Sequence, residues 1–256
     1  MVGKNKYGYV LPGVYTKEIW ERGGKVKEHK KYIGKYYTSW SSIESFNDEK
    51  GFNTGFKGSF EYILSKLFNV SFPDKGWALF GHQVEDYITL NKGREFFDES
   101  EIEVLDTIQP LGNYQREVCL YFKKLDVIVL GYIDDHSEPD EDGFIELVRD
   151  YKTKSESSKK ELHKKLQLVL YVMYLMSIKL KVKKAEYVII ERLGGGECMK
   201  GGGRESLKVG KRVWYEEYTN LNKDTFAQAE KLVEDTVKKI SSLFHTFLKF
   251  KHQTNE

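Results

Sequence analysis

Apolar and polar residues alternate with two different periods along this chain. Phe60, Ile63, Leu64, Leu67 and Phe68 fall at i, i+3, i+4, i+7 and i+8, which predicts a helix over 59–68, closed by Pro73 and Gly76. A second helix is predicted from Ala78 to Leu90, carrying Phe80, His82, Val84 and Tyr87. The Ser and Thr residues of Thr38-Ser39-Trp40-Ser41-Ser42 are N-cap candidates for a short helix through Ile43 and Phe46. Before it, the Gly-punctuated start suggests short strands at Tyr7–Val10 and Gly13–Ile19.

The period then shortens. Glu117–Phe122 and Asp126–Leu130 are rich in strand formers, and Phe144–Lys152 follows after the polar turn Asp135–Gly143. A long helix is predicted over Ser155–Leu180, then strands at Ala185–Arg192 and Arg212–Thr219, separated by the mobile glycine-rich loop Gly194–Gly203. An amphipathic helix, Asn222–Lys249, closes the chain with Phe226, Ala229, Leu232, Val233, Val237, Ile240, Leu243 and Phe247 on its buried face. Helices first, then three strands, helix, two strands and a helix predict a single α/β domain with a mixed central sheet flanked by helices.

Composition narrows the class. With 256 residues the chain can bury a substantial core, and 40% hydrophobic with 31% charged residues is an ordinary soluble balance. A net charge of +2 does not by itself announce a nucleic-acid binder, so any such attraction must come from local patches. The two cysteines, Cys119 and Cys198, are too few for a disulfide scaffold. Neither has a closely spaced Cys or His partner of the kind a Cys-ligated zinc or iron–sulfur motif shows, so a reducing cytoplasmic setting is expected. No apolar run reaches the length of a membrane span; Leu166–Leu180 carries Gln167, Lys179 and two tyrosines and reads as a buried helix.

Candidate chemistry centres on Asp134, at the end of the Gly131-Tyr132-Ile133-Asp134 segment, and on Asp150 and Lys152. Asp150 and Lys152 lie two apart on a strand and so share a face, with Glu146 farther back. Carboxylates converging from adjacent strands make an oxygen-rich site that suits Mg2+ or Mn2+, and a neighbouring lysine can orient the attacking water or stabilise charge on a phosphate. An Asp-x-Lys pair alone more often marks a solvated face, and Asp135 competes with Asp134 for the ligand role.

The wider pattern changes that balance. Asp134, Asp150-Tyr151-Lys152-Thr153 and Gln167-Leu168-Val169-Leu170-Tyr171 resemble the Gly-x-x-Asp, Asp-x-Lys-Thr and Gln-x-x-x-Tyr signatures of RecB-type nucleases within the PD-(D/E)XK superfamily. Phe80-Gly81-His82-Gln83-Val84-Glu85 is similar to the helical motif that places a His near the metal, and Tyr37–Ile43 to the Ser-rich opening of these domains. Each motif is short; what is specific is five of them in order over residues 37–171.

The resemblance implies a restriction-endonuclease-like core with an N-terminal helical extension. Within one nuclease domain over 1–256, it divides the chain into an extension (1–36), a helical segment carrying His82 (37–98) and a catalytic core (114–250). It implies catalytic Asp134, Asp150 and Lys152, and a metal held by His82, Asp134, Asp150 and the Tyr151 carbonyl. Gln167 and Tyr171, at i and i+4 on one helical face, would support the site, as would Glu117, which is equally readable as a plain strand carboxylate. Tyr171 is equally readable as core. Lys154, Lys159, Lys160 and Arg204 are candidate phosphate contacts, although Glu156 and Glu161 interleave the lysines as on a solvated helix face.

The implied activity is metal-dependent, exonuclease-like DNA hydrolysis in recombination, repair or phage-type DNA processing, on single- or double-stranded DNA. No nucleotide-binding motor motif occurs, so a helicase or recombinase would be a separate partner. The competing readings are a DNA-binding or assembly protein that has lost the chemistry, and a nuclease acting on RNA.

Overall fold

The structure, a computed structural model, describes residues 3–47, 65, 70, 76–155, 165–194 and 206–253. The predicted helix over 59–68, Lys159, Lys160, Arg204 and most of the glycine-rich loop lie outside the described residues. Two compact units form. One comprises Met1–Phe72, Glu117–Tyr132 and Asn222–Glu256; the other comprises Pro73–Arg116 and Ile133–Leu221.

In the first unit, β1 (Gly3–Lys4) and β2 (Val10–Leu11) form a small antiparallel hairpin. The chain turns there at Gly8, whose φ of 88° is readily adopted only without a Cβ. Helix α1 (Lys17–Arg22) replaces the strand expected over Gly13–Ile19. The cause is Thr16, whose side chain caps the amide of Ile19 and starts a helix three residues before the expected strand ends. Strand β3 (Tyr36–Ser39) leads into α2 (Trp40–Phe46), capped by Ser39 within the predicted Ser cluster. The long C-terminal helix buries Ala229, Val233, Val237, Ile240 and Phe244 along one stripe and packs on β2. Ser241 on that helix accepts the amide of Val10 at 2.9 Å.

The second unit opens with α3 (Gly76–Leu90), which buries Phe80, Val84, Tyr87 and Ile88 at a helical repeat. Helix α4 (Glu99–Leu105) starts at a capping box in which Asp98 and Glu101 satisfy each other's backbone amides. Strands β4 (Asn113–Phe122) and β5 (Val127–His136) follow, then β6 (Phe144–Lys154), α5 (Gln167–Ser177), β7 (Lys181–Leu193), β8 (Lys208–Glu217) and α6 (Lys223–Gln253), the C-terminal helix of the first unit.

The strand order is β3-β5-β6-β7-β8, with β4 pairing β5. β3 runs parallel to β5, β5 antiparallel to β6, β6 parallel to β7 and β7 antiparallel to β8, so the sheet is mixed. The parallel pair explains the run Tyr187–Ile190, which is almost wholly buried, as strands covered on both faces are. With Tyr151 of β6 these strands meet the apolar face of α3 in one core.

Two boundaries differ from the sequence reading. Strand β5 continues past Asp134 to His136, so Asp134 lies within the strand rather than at its end. The helix expected over 155–180 starts at Gln167, Lys165 and Leu166 being non-helical. It stops at Ser177 because Lys179, at φ 68°, turns the chain into β7.

Candidate active site

All the residues that make up this site belong to the second unit. Strand β6 presents Asp150 and Lys152, and the lysine ammonium forms an ion pair with the Asp150 carboxylate. On β5, successive side chains point to opposite faces, which separates the two adjacent aspartates. The backbone amide of Tyr151 donates to Asp134 Oδ2 at 2.8 Å, which anchors that carboxylate beside Asp150. Asp135 is committed elsewhere: it accepts the Tyr151 hydroxyl at 2.9 Å and the Leu111 amide at 2.6 Å. The geometry therefore groups Asp134, not Asp135, with Asp150.

The electrostatics of Asp134 are those of an overcharged pocket. Burial pushes its carboxyl well above the usual carboxylate range; the negative charges of Asp150 and Glu85 add to the rise, while Lys152 and the Tyr151 amide oppose it. Glu85, on α3, behaves the same way: burial raises it first and Asp150 second, while His82, Lys152 and a hydrogen bond from Gln115 pull it down. Glu85 escaped the sequence reading, though its signal was present. It lies three residues after His82, flanking the buried stripe of Phe80, Val84, Tyr87 and Ile88. At Gly81, α3 passes close to β6: a Cβ there would meet Thr153 Oγ1 at 3.4 Å, an ordinary contact.

From α5, Gln167 donates to the Tyr171 hydroxyl at 2.6 Å. Tyr171 is buried, and its hydroxyl is pushed well above the usual range by burial, then by Asp150 and Asp134. Gln167 and Tyr171 thus face the carboxylates, and Tyr171 is core and site neighbour at once. Lys154 lies at the far end of β6, opposite Glu191 on β7. Glu146 is exposed and pairs with Lys183 at 2.6 Å.

Three carboxylates, Glu85, Asp134 and Asp150, thus share one field with one lysine and His82. Buried like charges of this kind are costly unless a cation or proton intervenes. The donors are mainly oxygens, which suits a hard dication, with the imidazole of His82 as the one nitrogen available from α3. Among the described residues, His82, Asp134 and Asp150 do not gather three ligand atoms within 4.8 Å; the lysine ammonium occupies Asp150 instead.

Glu117 is placed elsewhere, in the first unit, where it accepts the Tyr15 hydroxyl at 2.6 Å and lies 2.8 Å from His29 Nδ1. In this structure it is a buried carboxylate with its own partners.

The sequence matches no curated protein. Among solved structures, it is similar to the crystal structure of a "Putative exonuclease" from Eubacterium rectale, at 13% identity and a TM-score of 0.49, over 88% of this chain and 84% of that one. The model of the PD-(D/E)XK nuclease superfamily matches residues 86–252, roughly two thirds of the chain; the match takes in Asp134, Asp150, Lys152, Gln167 and Tyr171 and begins one residue after Glu85. The mixed sheet, its helices and this match together make the chain a member of the PD-(D/E)XK nuclease superfamily, a family of divalent-metal hydrolases of phosphodiester bonds.

Proposed function

We propose that the protein hydrolyses phosphodiester bonds in DNA with Mg2+ or Mn2+, in an exonuclease-like manner, in recombination, repair or phage-type DNA processing. The observation that carries this reading is the convergence of Asp134, held by the Tyr151 amide, with the Asp150–Lys152 pair on the neighbouring strand. Asp134 and Asp150 hold the metal, with Glu85 and His82 from α3 and the Tyr151 carbonyl as further ligands. When bound, the ion lowers the pKa of a water and neutralises charge on the scissile phosphate.

The remaining work falls to the chain itself. The Tyr151 amide fixes the orientation of Asp134. Lys152, tethered beside Asp150, orients the attacking water or meets the charge that builds on the phosphate oxygens. Gln167 holds Tyr171 in place behind the carboxylates. Lys154, Lys159, Lys160 and Arg204 are the candidate contacts to the phosphate backbone, and a separate helicase or recombinase is the partner class that would feed such an enzyme. None of the described helices is long and apolar enough to cross a membrane.

The test is a substrate panel of linear duplex, single-stranded and circular DNA and single-stranded RNA, each in Mg2+, Mn2+ or EDTA. Degradation of linear DNA in Mn2+, blocked by EDTA and sparing circles, is the expected result. Cutting of circles overturns the exonuclease assignment, cutting of RNA alone overturns the DNA assignment, and cutting in EDTA overturns the metal dependence.

A further inference from the structure

The first unit holds a second cluster of ligand-type side chains that the nuclease chemistry does not use. Strand β4 carries Glu117 and Cys119, two apart and so on one face. A 3-10 segment, Lys27–Tyr32, brings in His29, and Tyr15 precedes α1. All four are buried to 2% exposure or less. Three donors crowd onto one oxygen, Glu117 Oε1: the Tyr15 hydroxyl at 2.6 Å, His29 Nδ1 at 2.8 Å and Cys119 Sγ at 3.6 Å. The other oxygen, Oε2, is buried with no hydrogen-bond partner. Nδ1, Sγ and a carboxylate oxygen lie within 4.8 Å of one another, and this is the one His/Cys/Asp/Glu group among the described residues to do so.

An ion pair kept only for packing would have both carboxylate oxygens satisfied, because leaving a buried oxygen without a hydrogen bond is costly. Here three groups share Oε1 while no group lies at hydrogen-bond distance from Oε2, although Tyr132 also faces this carboxylate. The backbone is also shaped to this cluster. Gly23 lies so close that a Cβ there would overlap the Glu117 carboxylate. Ligands at zinc bond lengths of roughly 2.0–2.3 Å stand about 3.3–3.8 Å apart at the corners of a tetrahedron. The observed N, O and S separations need to change little to meet that geometry.

We propose that His29, Glu117 and Cys119 form a buried binding site for Zn2+ or a similar borderline-soft dication, and that it fastens the N-terminal segment to β4. Mixed N, O and S ligands favour zinc over the hard ions that suit the carboxylate site. On metal binding, the hydrogen that Nδ1 of His29 shares with Glu117 gives way, with Nε2 carrying the ring hydrogen, and the freed Nδ1 lone pair coordinates. The Cys119 thiol is held protonated by burial and by the Glu117 charge while no metal is bound; on binding it becomes a thiolate and its proton passes to solvent. Tyr15 donates to the carboxylate and orients it.

The test uses the full chain, stripped with a strong chelator and titrated with Co2+ as a spectroscopic stand-in for zinc. A thiolate-to-cobalt charge-transfer band should appear in the near ultraviolet and saturate at one equivalent. It should persist in Cys198→Ser, which removes the other cysteine, and in Asp150→Asn, which disables the carboxylate site. It should vanish in Cys119→Ser and weaken at least tenfold in apparent affinity in His29→Gln. Absence of the band in the wild type, or its loss in Cys198→Ser, overturns the proposal without requiring any Cys119 variant to fold. The readout is metal ligation rather than cleavage, so its failure leaves the nuclease reading untouched.

Discussion

Both units bury carboxylates beside lone basic groups, yet the two clusters are built on opposite principles. In the second unit Asp134, Asp150 and Glu85 repel one another, and their charges are met by a single lysine and an exposed histidine. In the first unit a single carboxylate, Glu117, is surrounded by a hydroxyl, an imidazole and a thiol. One cluster carries more negative charge than its surroundings can balance, the other more donors than one oxygen needs. Residue type does not distinguish the two clusters; the sign of the local imbalance does. An excess of negative charge in the metal-free state is tolerated where a metal ion is to be bound, and it is a place where stability is given up for function.

That contrast makes removal of a carboxylate diverge between the units. The largest effect is expected from Asp150→Asn, with cleavage falling by at least ~10^3-fold because a metal ligand and charge stabilisation go together. Its melting temperature without metal should hold or rise, since a repelling charge is gone; a clear fall in melting temperature would break the contrast. Lys152→Ala should lower turnover by about 10^2–10^3-fold, the range of a group that stabilises charge developing in the transition state.

Glu117→Ala should do the reverse in stability, costing about 2–4 kcal/mol in denaturant unfolding because Tyr15 and His29 lose their buried acceptor. Tyr15→Phe should cost about 1–2 kcal/mol and leave the cleavage rate per folded molecule unchanged. A rate loss in Tyr15→Phe larger than its loss of folded protein would place this cluster in the catalytic machinery.

Glu85→Gln sharpens the electrostatic side. Metal affinity should drop by about 10–100-fold. With one negative neighbour gone, Asp134 ionises more readily, so the acidic limb of the rate profile should move to lower pH; a shift to higher pH would contradict the assigned repulsion. Stability follows from the same sign. Glu85 and Asp134 have folded pKa values above their unfolded ones, so their protonated forms favour the fold below the ordinary carboxylate range near pH ~4, and that contribution is lost as pH rises through the raised values. Metal-free protein should therefore lose stability as pH rises above the ordinary carboxylate range near pH ~4, less so in Glu85→Gln, and Mg2+ should restore more at higher pH, as read by thermal melting. The smallest effect is expected from Tyr171→Phe, which removes one hydrogen bond with Gln167 and about 0.5–1.5 kcal/mol of stability.

Much of the second unit was legible in the chain itself. The period of 3.6 in α3 and the apolar runs of β5, β6 and β7 gave the elements, because burial on one face or both leaves a direct mark on sequence. The pairing of Asp134 with Asp150 was legible too, since two short motifs sit on neighbouring strands. Choosing between Asp134 and Asp135 required the pleat, which sends the second to Tyr151 and Leu111. Glu85 was overlooked because its part depends on the depth at which α3 packs. The first unit was far less readable. Thr16 caps a helix where β-formers suggested a strand. The cysteine lacked a nearby ligand in sequence, yet the fold brings His29 to Glu117 across 88 positions. Spacing rules detect ligands that lie close along the chain, and this cluster forms only by tertiary closure.

The proposed metal-dependent hydrolytic centre joins Asp150 to Asp134 and Lys152. It is tested most directly by the initial rate of linear-DNA cleavage in Mn2+ for the wild type and Asp150→Asn, with both proteins shown to melt as folded chains. Steady cleavage by the wild type and at least ~10^3-fold less by the variant at equal fold content is the expected result. Equal rates for the two, or no cleavage by the folded wild type, would contradict it.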